Sequence, residues 1–410
     1  MRPEPGEDDA PERAVCSPYG ARRAPNRDRE RRGAVRYADR AYKGVLPMPI
    51  HRRSFLKLTG GTAVASAGFA IGAPAILRAA TPVKMTLPWL PLGTFSYAFV
   101  ANKMGFWEKR GLEVTIDRGF GSGRVCVPVD QGQYDFGILD LAVMMNCAAR
   151  GLDLVAVGGI WPRSPVGIFS LKEYAISKPQ DLQGQTVAFD VGSGDFQLWP
   201  AFVKATGIDD KKVNKVTMDA AALIKALVEK QVKAEGNFFG SIAPSLWAQG
   251  LEINSMLYED YGVKMFSNVV ACKRATIEKK PELCEAFLGG LMEGLKYVYL
   301  NPEKSVALHL ESVKEFQGGS VANQKVIEYG QAVSTALGVV PAVREHGLGY
   351  MDPDLVATTA KTVETYMGVT NAPPTQTLFT NKFVGTVKLS EAEWTEVEKR
   401  SEKYLPRKSS

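Results

Sequence analysis

Tyr134-Asp135-Phe136-Gly137-Ile138-Leu139-Asp140-Leu141-Ala142-Val143-Met144-Met145-Asn146-Cys147-Ala148-Ala149-Arg150-Gly151 decides the fold class. Its first part, Tyr134 to Leu139, is a short apolar run that reads as a strand. Its second part, Leu141 to Arg150, reads as a helix stopped by Gly151. The same alternation runs outward on both sides. Upstream lie a strand from Val83 to Leu87, a helix from Tyr97 to Arg110 ended by Gly111, and a strand from Leu112 to Ile116. A Gly121-Ser122-Gly123 turn then opens a short helix through Gln131. Downstream, Leu154 to Ile160 and Val166 to Leu171 read as strands. Strands separated by helices predict parallel pairing in an open α/β sheet.

A second run of similar elements begins at Pro179-Gln180-Asp181-Leu182-Gln183-Gly184. It comprises a strand from Thr186 to Phe189, a helix from Phe196 to Ala205 opened by Gly192-Ser193-Gly194-Asp195, and a strand from Lys215 to Met218. A helix from Ala220 to Lys230, a strand from Ala234 to Phe239 and a helix from Pro244 to Gln249 follow. Two runs of comparable style predict two lobes; the likeness is of architecture, not of sequence. Asn268 to Cys272 reads as a strand returning to the first lobe. Pro281 starts a helix through Leu300, in the first turn where its missing N–H costs nothing. The tail from Ser305 to Leu405 is mainly helical, broken at Pro373-Pro374. Crossings between lobes are expected near Lys172 to Ile176 and near Tyr261 to Asn268. The expected division is therefore 81–173 for the first part of lobe 1, 174–266 for lobe 2, and 267–410 for the rest of lobe 1 with C-terminal helices.

At 410 residues the chain exceeds one ordinary core. Its net charge of +6 is concentrated at one end. Residues 1–47 hold eleven Lys and Arg against eight Asp and Glu, and residues 48–80 hold four Lys and Arg with no acid. The remainder is near neutral, which gives no case for a nucleic-acid partner. The five cysteines, Cys16, Cys126, Cys147, Cys272 and Cys284, show no metal-ligand spacing. They read as buried thiols, with a single disulfide open after export. Only three histidines, His51, His309 and His346, are present, which argues against a His-based catalytic or metal site. No cofactor is implied.

Residues 1–47 are rich in Arg, Pro and acids and cannot build a core. They read as a start-site artefact or a disordered extension, with Met48 as the start. Arg52-Arg53-Ser54-Phe55-Leu56-Lys57 then resembles a twin-arginine export signal, with Arg52 and Arg53 as its readers' target. The uncharged, small-residue stretch Leu58 to Leu77 suits a cleaved signal peptide spanning 48–80. The expected localisation is periplasmic.

Several motifs carry a resemblance. They are Trp89-Leu90-Pro91, Tyr97-Ala98-Phe99-Val100-Ala101, Gly105-Phe106-Trp107, Gly111-Leu112-Glu113-Val114 and Gly119-Phe120-Gly121-Ser122-Gly123. Gln131-Gly132-Gln133-Tyr134-Asp135-Phe136-Gly137, Asp181-Leu182-Gln183-Gly184 and Asp260-Tyr261-Gly262-Val263 continue the series. In this order and spacing, over roughly residues 83–305, the chain resembles the nitrate/sulfonate/taurine and pyrimidine-precursor (NMT1/THI5-like) binding proteins. The resemblance implies a two-lobed type II periplasmic binding protein fold with a hinge of two crossing strands and a helical C-terminal region. It also implies a monomer that closes on its ligand and docks to an ABC permease. The pyrimidine-precursor branch often carries a His a few residues after Trp-x-Pro; here Phe95 takes that place.

Candidate ligand-binding residues follow. Gly121, Ser122 and Gly123, and the equivalent Gly192, Ser193 and Gly194, lie between strand and helix, where exposed backbone N–H groups attract anions or carbonyl oxygens. The competing reading is an ordinary turn that needs glycine. Trp89 resembles a pocket wall that would stack on a flat ligand, and Trp161 is a second candidate. Asp140 ends a strand at the crevice, and Asn237 and Phe238 end another. The expected ligand is pyrimidine-like, or an anion such as a sulfonate, nitrate or aromatic acid. The rivals are a pyrimidine-precursor-related enzyme and a sensor that presents its closed form to a receptor. No catalytic set or phosphate loop is visible.

Overall fold

The computed structural model describes residues 80–313 and 323–405. The leader, with Arg52 and Arg53, lies outside the described residues. Ten strands form two five-stranded sheets among the described residues. They are β1 Thr81–Thr86, β2 Leu112–Asp117, β3 Phe136–Asp140, β4 Leu154–Gly159, β5 Val166–Leu171, β6 Thr186–Phe189, β7 Asn214–Thr217, β8 Ala234–Phe238, β9 Ile253–Leu257 and β10 Asn268–Lys273. The first half of the chain supplies helices α1 Ser96–Lys103, α2 Gly123–Asp130, α3 Leu141–Ala149, α4 Gly194–Gln197, α5 Trp199–Thr206, α6 Ala220–Val228 and α7 Phe239–Trp247. The second supplies α8 Arg274–Lys279, α9 Pro281–Leu300, α10 Pro302–Ser312, α11 Gln324–Gly338, α12 Pro341–His346, α13 Pro353–Tyr366 and α14 Glu391–Ser401.

The sheets run β2-β1-β3-β10-β4 and β7-β6-β8-β5-β9. Each has the same plan. In the first, β1 pairs parallel with β2 and β3, while β10 runs antiparallel to β3 and β4. In the second, β6 pairs parallel with β7 and β8, while β5 runs antiparallel to β8 and β9. The sheets are thus mixed, not parallel throughout as the alternation predicts. The reason is the route of the chain. It passes between sheets at the crevice, where the parallel strands end, so the strand entered after each crossing must run away from the crevice.

The crossings are residues 160–165 and 258–267. The first lies before β5, not at Lys172 to Ile176, so the second lobe's sheet begins with β5 and the expected boundary at 173/174 is corrected. The two crossings bind each other: Ile160 N–H and Trp161 N–H donate to Asn268 O at 2.8 and 3.1 Å, and Ser267 N–H donates to Trp161 O at 2.9 Å. Arg163 and Glu259 pair across the same hinge.

Three helices differ from the sequence reading. The first stops at Lys103 because Gly105 takes a left-handed φ of 66°. The helix expected from Phe196 to Ala205 is split into α4 and α5, with Pro200 in the first turn of α5. Pro244 does not start α7 but sits inside it. The C-terminal region also departs from its assignment to lobe 1. Helix α11 packs on α7 of lobe 2 as well as on the turn before α1, and α13 packs on both α3 and α5. Cys126 on α2 and Cys147 on α3 form a disulfide, whereas Cys272 and Cys284 are buried thiols. Among the described residues no helix is long and apolar enough to cross a membrane.

Candidate functional site

The parallel strands of both sheets end at one cleft, the usual ligand position in open α/β sheets. Lobe 1 contributes Pro88 and Trp89 beyond β1, Phe95 before α1, and Gly121 and Ser122 at the head of α2. Lobe 2 contributes Asp190 and Ser193 beyond β6, Asp195 on α4, Leu223 on α6, Ser241 on α7, and Gly236, Asn237 and Phe238 at the end of β8. Trp161 and Asn268, from the hinge, complete the lining. With the lobes in contact, the cavity between them is small.

The lobes touch where their glycine turns meet. A Cβ on Gly123 would lie 3.1 Å from Gly192 O. Nearby, Asn146 Nδ2 donates to Gln197 Oε1 at 3.0 Å. Gly123, Gly192 and Gly194 therefore serve lobe contact and packing instead of lining the cavity. Helix α4 is a single turn and offers no helix-end field for an anion.

The aromatic wall is fixed from behind. Phe95 stacks on Trp161 with ring centroids 5.9 Å apart. Trp161 Nε1–H donates to Ser334 Oγ at 2.9 Å, so the indole is held in one orientation. Trp89 and Phe238 are half-buried and line the cavity.

Ser122 accepts from Asp140 N–H at 3.1 Å and keeps its own hydroxyl proton to donate. Asp140 does not line the cavity. Its Oδ1 accepts from Ala142 N–H and Val143 N–H, capping α3, and its Oδ2 accepts from Ser267 Oγ. Both oxygens of Asp140 are thus engaged within the protein, at the hinge and the head of α3. Burial pushes it up to about 6, against the pull of those hydrogen bonds.

The polar side of the cleft is acidic, which sequence reasoning missed. Asp190, Asp195 and Glu235 are 3%, 1% and 0% exposed, where acids are rarely found without a cation. Asp190 Oδ1 accepts from Gly192 N–H at 3.0 Å. Asp195 accepts from Ser193 Oγ. Glu235 Oε1 accepts from Asn237 Nδ2 at 2.9 Å. The second oxygen of each carboxyl is buried without a partner. Burial pushes Asp195 up to about 7, opposed by Ser193 and reinforced by Asp190 and Asp140. Burial likewise pushes Glu235 up to about 8, with Asp195 adding to it. Gly236 makes the arrangement possible, since a Cβ there would fall 2.5 Å from Asp195 Oδ2. One signal was available: Glu235 is the one charged residue of a short strand and stands beside a glycine.

His309 does not line the cavity. It is buried in the core between Ser96 Oγ and Pro91 O, and burial pushes it down to about 4.

Comparison with known proteins bears on fold and family. The sequence profile described as NMT1/THI5 like matches residues 94–305. The riboflavin-binding protein RibY of Chloroflexus aurantiacus is 26% identical, over 79% of this chain and 92% of that protein. The 4-amino-5-hydroxymethyl-2-methylpyrimidine phosphate synthase of Saccharomyces cerevisiae is 22% identical, over 54% of this chain and 68% of that one. Among solved structures, the periplasmic aliphatic sulphonate binding protein SsuA of Escherichia coli superposes with a TM-score of 0.58, at 17% identity, over 74% of this chain and 99% of that one. The two-lobed periplasmic binding protein fold is thereby shared, and the chain belongs to the NMT1/THI5-like family.

Proposed function

We propose that this chain is an extracytoplasmic solute-binding protein that closes its lobes on a small, flat heteroaromatic ligand and delivers it to an ABC permease. One observation carries the reading: the cavity at the ends of the parallel strands takes aromatic walls from both lobes and the hinge, Trp89, Phe95, Trp161 and Phe238. Ligand contact with both lobes supplies the differential free energy that favours the closed form. A planar ring suits such walls, and a ring-binding relative supports it. The anion alternatives have less support, because the lining contains no Lys, Arg or His. An enzymatic role has less support too. Among the described residues neither His nor Cys lines the cleft. Export would use Arg52 and Arg53 of the leader, with residues 48–80 removed.

The test is a thermal-shift screen of the full chain against riboflavin, pyrimidines, aliphatic sulfonates and nitrate. A ligand at 100-fold its dissociation constant stabilises by about 2.7 kcal/mol. At least one flat heterocycle should raise the melting temperature, and Trp89→Ala should weaken that effect. A shift with sulfonates or nitrate alone would discard the heteroaromatic reading.

A further inference from the structure

We propose that Asp195, flanked by Asp190 and backed by Glu235, selects a ligand with a cationic, amidine-type N–H edge, and that the ligand takes the place of protons held in the empty cleft. The inference rests on the heteroaromatic reading above and deepens it. It begins from a charge imbalance. Asp195 and Asp190 line the cavity, and each has a buried oxygen without a partner. Glu235 stands behind them, bound to Asn237, which also lines the cavity.

Among the described residues no Lys, Arg or His pairs with Asp195 or Glu235. Helix α4 packs on β5, β8 and α5. Strand β5 has no charged residue, α5 has only Lys204, which lies over the Tyr366 ring, and β8 has only Glu235. Strand β8 packs also on β6, α6 and α7. Strand β6 and α7 have no charged residue, and α6 has only Lys225, exposed and paired with Glu229. The charged groups acting on Asp195 are Asp190 and Asp140, and the one acting on Glu235 is Asp195. Every one of them is an acid.

Buried carboxylates without a cation either hold protons or meet a charge brought from outside. The first describes the empty cleft, consistent with the raised values of Asp195 and Glu235. The second describes the loaded cleft. A flat cation matches both sides of the site: its N–H edge donates charge-assisted hydrogen bonds to the free oxygens, and its face lies on Trp89 and Trp161, where indole rings attract cations. A sulfonate or a nitrate would meet like charge. A ring that offers only acceptors would need the carboxyls to stay protonated, and its binding would take up protons instead of releasing them.

The sign of that proton exchange makes the test decisive. Benzamidine, 2,4-diaminopyrimidine, uracil and benzenesulfonate are titrated calorimetrically into the full chain, in two buffers of different ionisation heat. The amidine-type compounds should bind at least about tenfold more tightly than uracil or benzenesulfonate. Benzamidine, which stays protonated throughout, should release protons near neutral pH and bind more tightly from about pH 6 to 8. Asp195→Asn should weaken benzamidine by about tenfold or more and remove the larger part of the release. Glu235→Gln should keep binding while reducing the release and shifting the pH profile, which a merely structural residue would not do. Tighter binding of uracil or benzenesulfonate, or benzamidine binding without proton release, overturns the charge preference and leaves the heteroaromatic reading intact. If no ring of any charge binds the folded chain, both fall.

Discussion

Ser267 Oγ donates a 2.9 Å hydrogen bond to Asp140 Oδ2, and so joins the return crossing between lobes to the head of α3. The same Asp140 offers its N–H to Ser122 in the cleft wall. Hinge, helix cap and ligand-facing turn therefore meet in one residue. This gives Asp140 a positioning role.

Asp140→Ala should destabilise the protein by about 2 kcal/mol or more, since it removes a helix cap and leaves Ser267 without its acceptor. Ser267→Ala should cost about 1 kcal/mol. The two should couple in a double-mutant cycle. Urea denaturation measures all three; additive effects would show that the contact carries no energy.

Stability should depend on pH in a way set by the cleft. Asp195 and Glu235 have folded values raised to about 7 and about 8, above the usual carboxylate range. Their contribution is complete at low pH, where both states are protonated. It is lost as pH rises and the unfolded chain gives up protons that the folded chain retains. His309, pushed down to about 4, acts in the opposite direction: its contribution is complete above about pH 6.5 and is lost as pH falls through 4. The window from about pH 6.5 to 8 thus isolates the carboxyls. There the ligand-free protein should lose up to about 1.4 kcal/mol per pH unit for each retained proton. Glu235→Gln should flatten the upper part of that decline. A melting temperature that rises across this window would contradict the assignment.

Much of the fold was legible in the sequence, and the gaps have physical causes. The switch from Tyr134–Leu139 to Leu141–Arg150 lies close to the observed β3 and α3. Two α/β runs gave two sheets. The outgoing crossing was misplaced because β4 and β5 read as successive strands, and no local pattern tells which sheet a strand joins. Edge strand β9 was passed over because its first three residues are only half-buried, so Ile253-Asn254-Ser255 lacks alternation. In the site, the glycine turns and aromatic residues carried signals; of the acids, only Glu235 did, as a charge beside Gly236 in a short strand. Asp195 reads in the sequence only as the end of a turn that opens a helix, and its significance depends on Asp190 and Glu235, which only folding brings near it.

The Cys126–Cys147 disulfide ties α2 to α3 across a sequence separation of 21. A loop of that size should contribute about 3 kcal/mol by restricting the unfolded chain. Reductant should lower the melting temperature of the wild type and leave a Cys126→Ser/Cys147→Ser double variant unchanged. Equal sensitivity in both would show that the thiols are not linked. Because α2 also carries Ser122 at its head, the double variant should bind ligand more weakly as well as melt earlier.

The two tryptophans of the cleft should separate binding from stability. Trp161 is buried, stacked on Phe95 and bonded to Ser334. Trp161→Ala should therefore cost about 3–5 kcal/mol of stability along with ligand affinity. Trp161→Phe should retain the wall and lose about 1 kcal/mol with the indole hydrogen bond. Trp89 is half-buried beyond β1, with less of its ring held by protein. Trp89→Ala should leave the urea midpoint nearly unchanged and still weaken a stacked ligand by about tenfold. Denaturation and calorimetry on the same three variants decide the matter. If Trp89→Ala destabilises as much as Trp161→Ala, its ring belongs to the core, and the aromatic wall facing the ligand is smaller than the cavity lining implies.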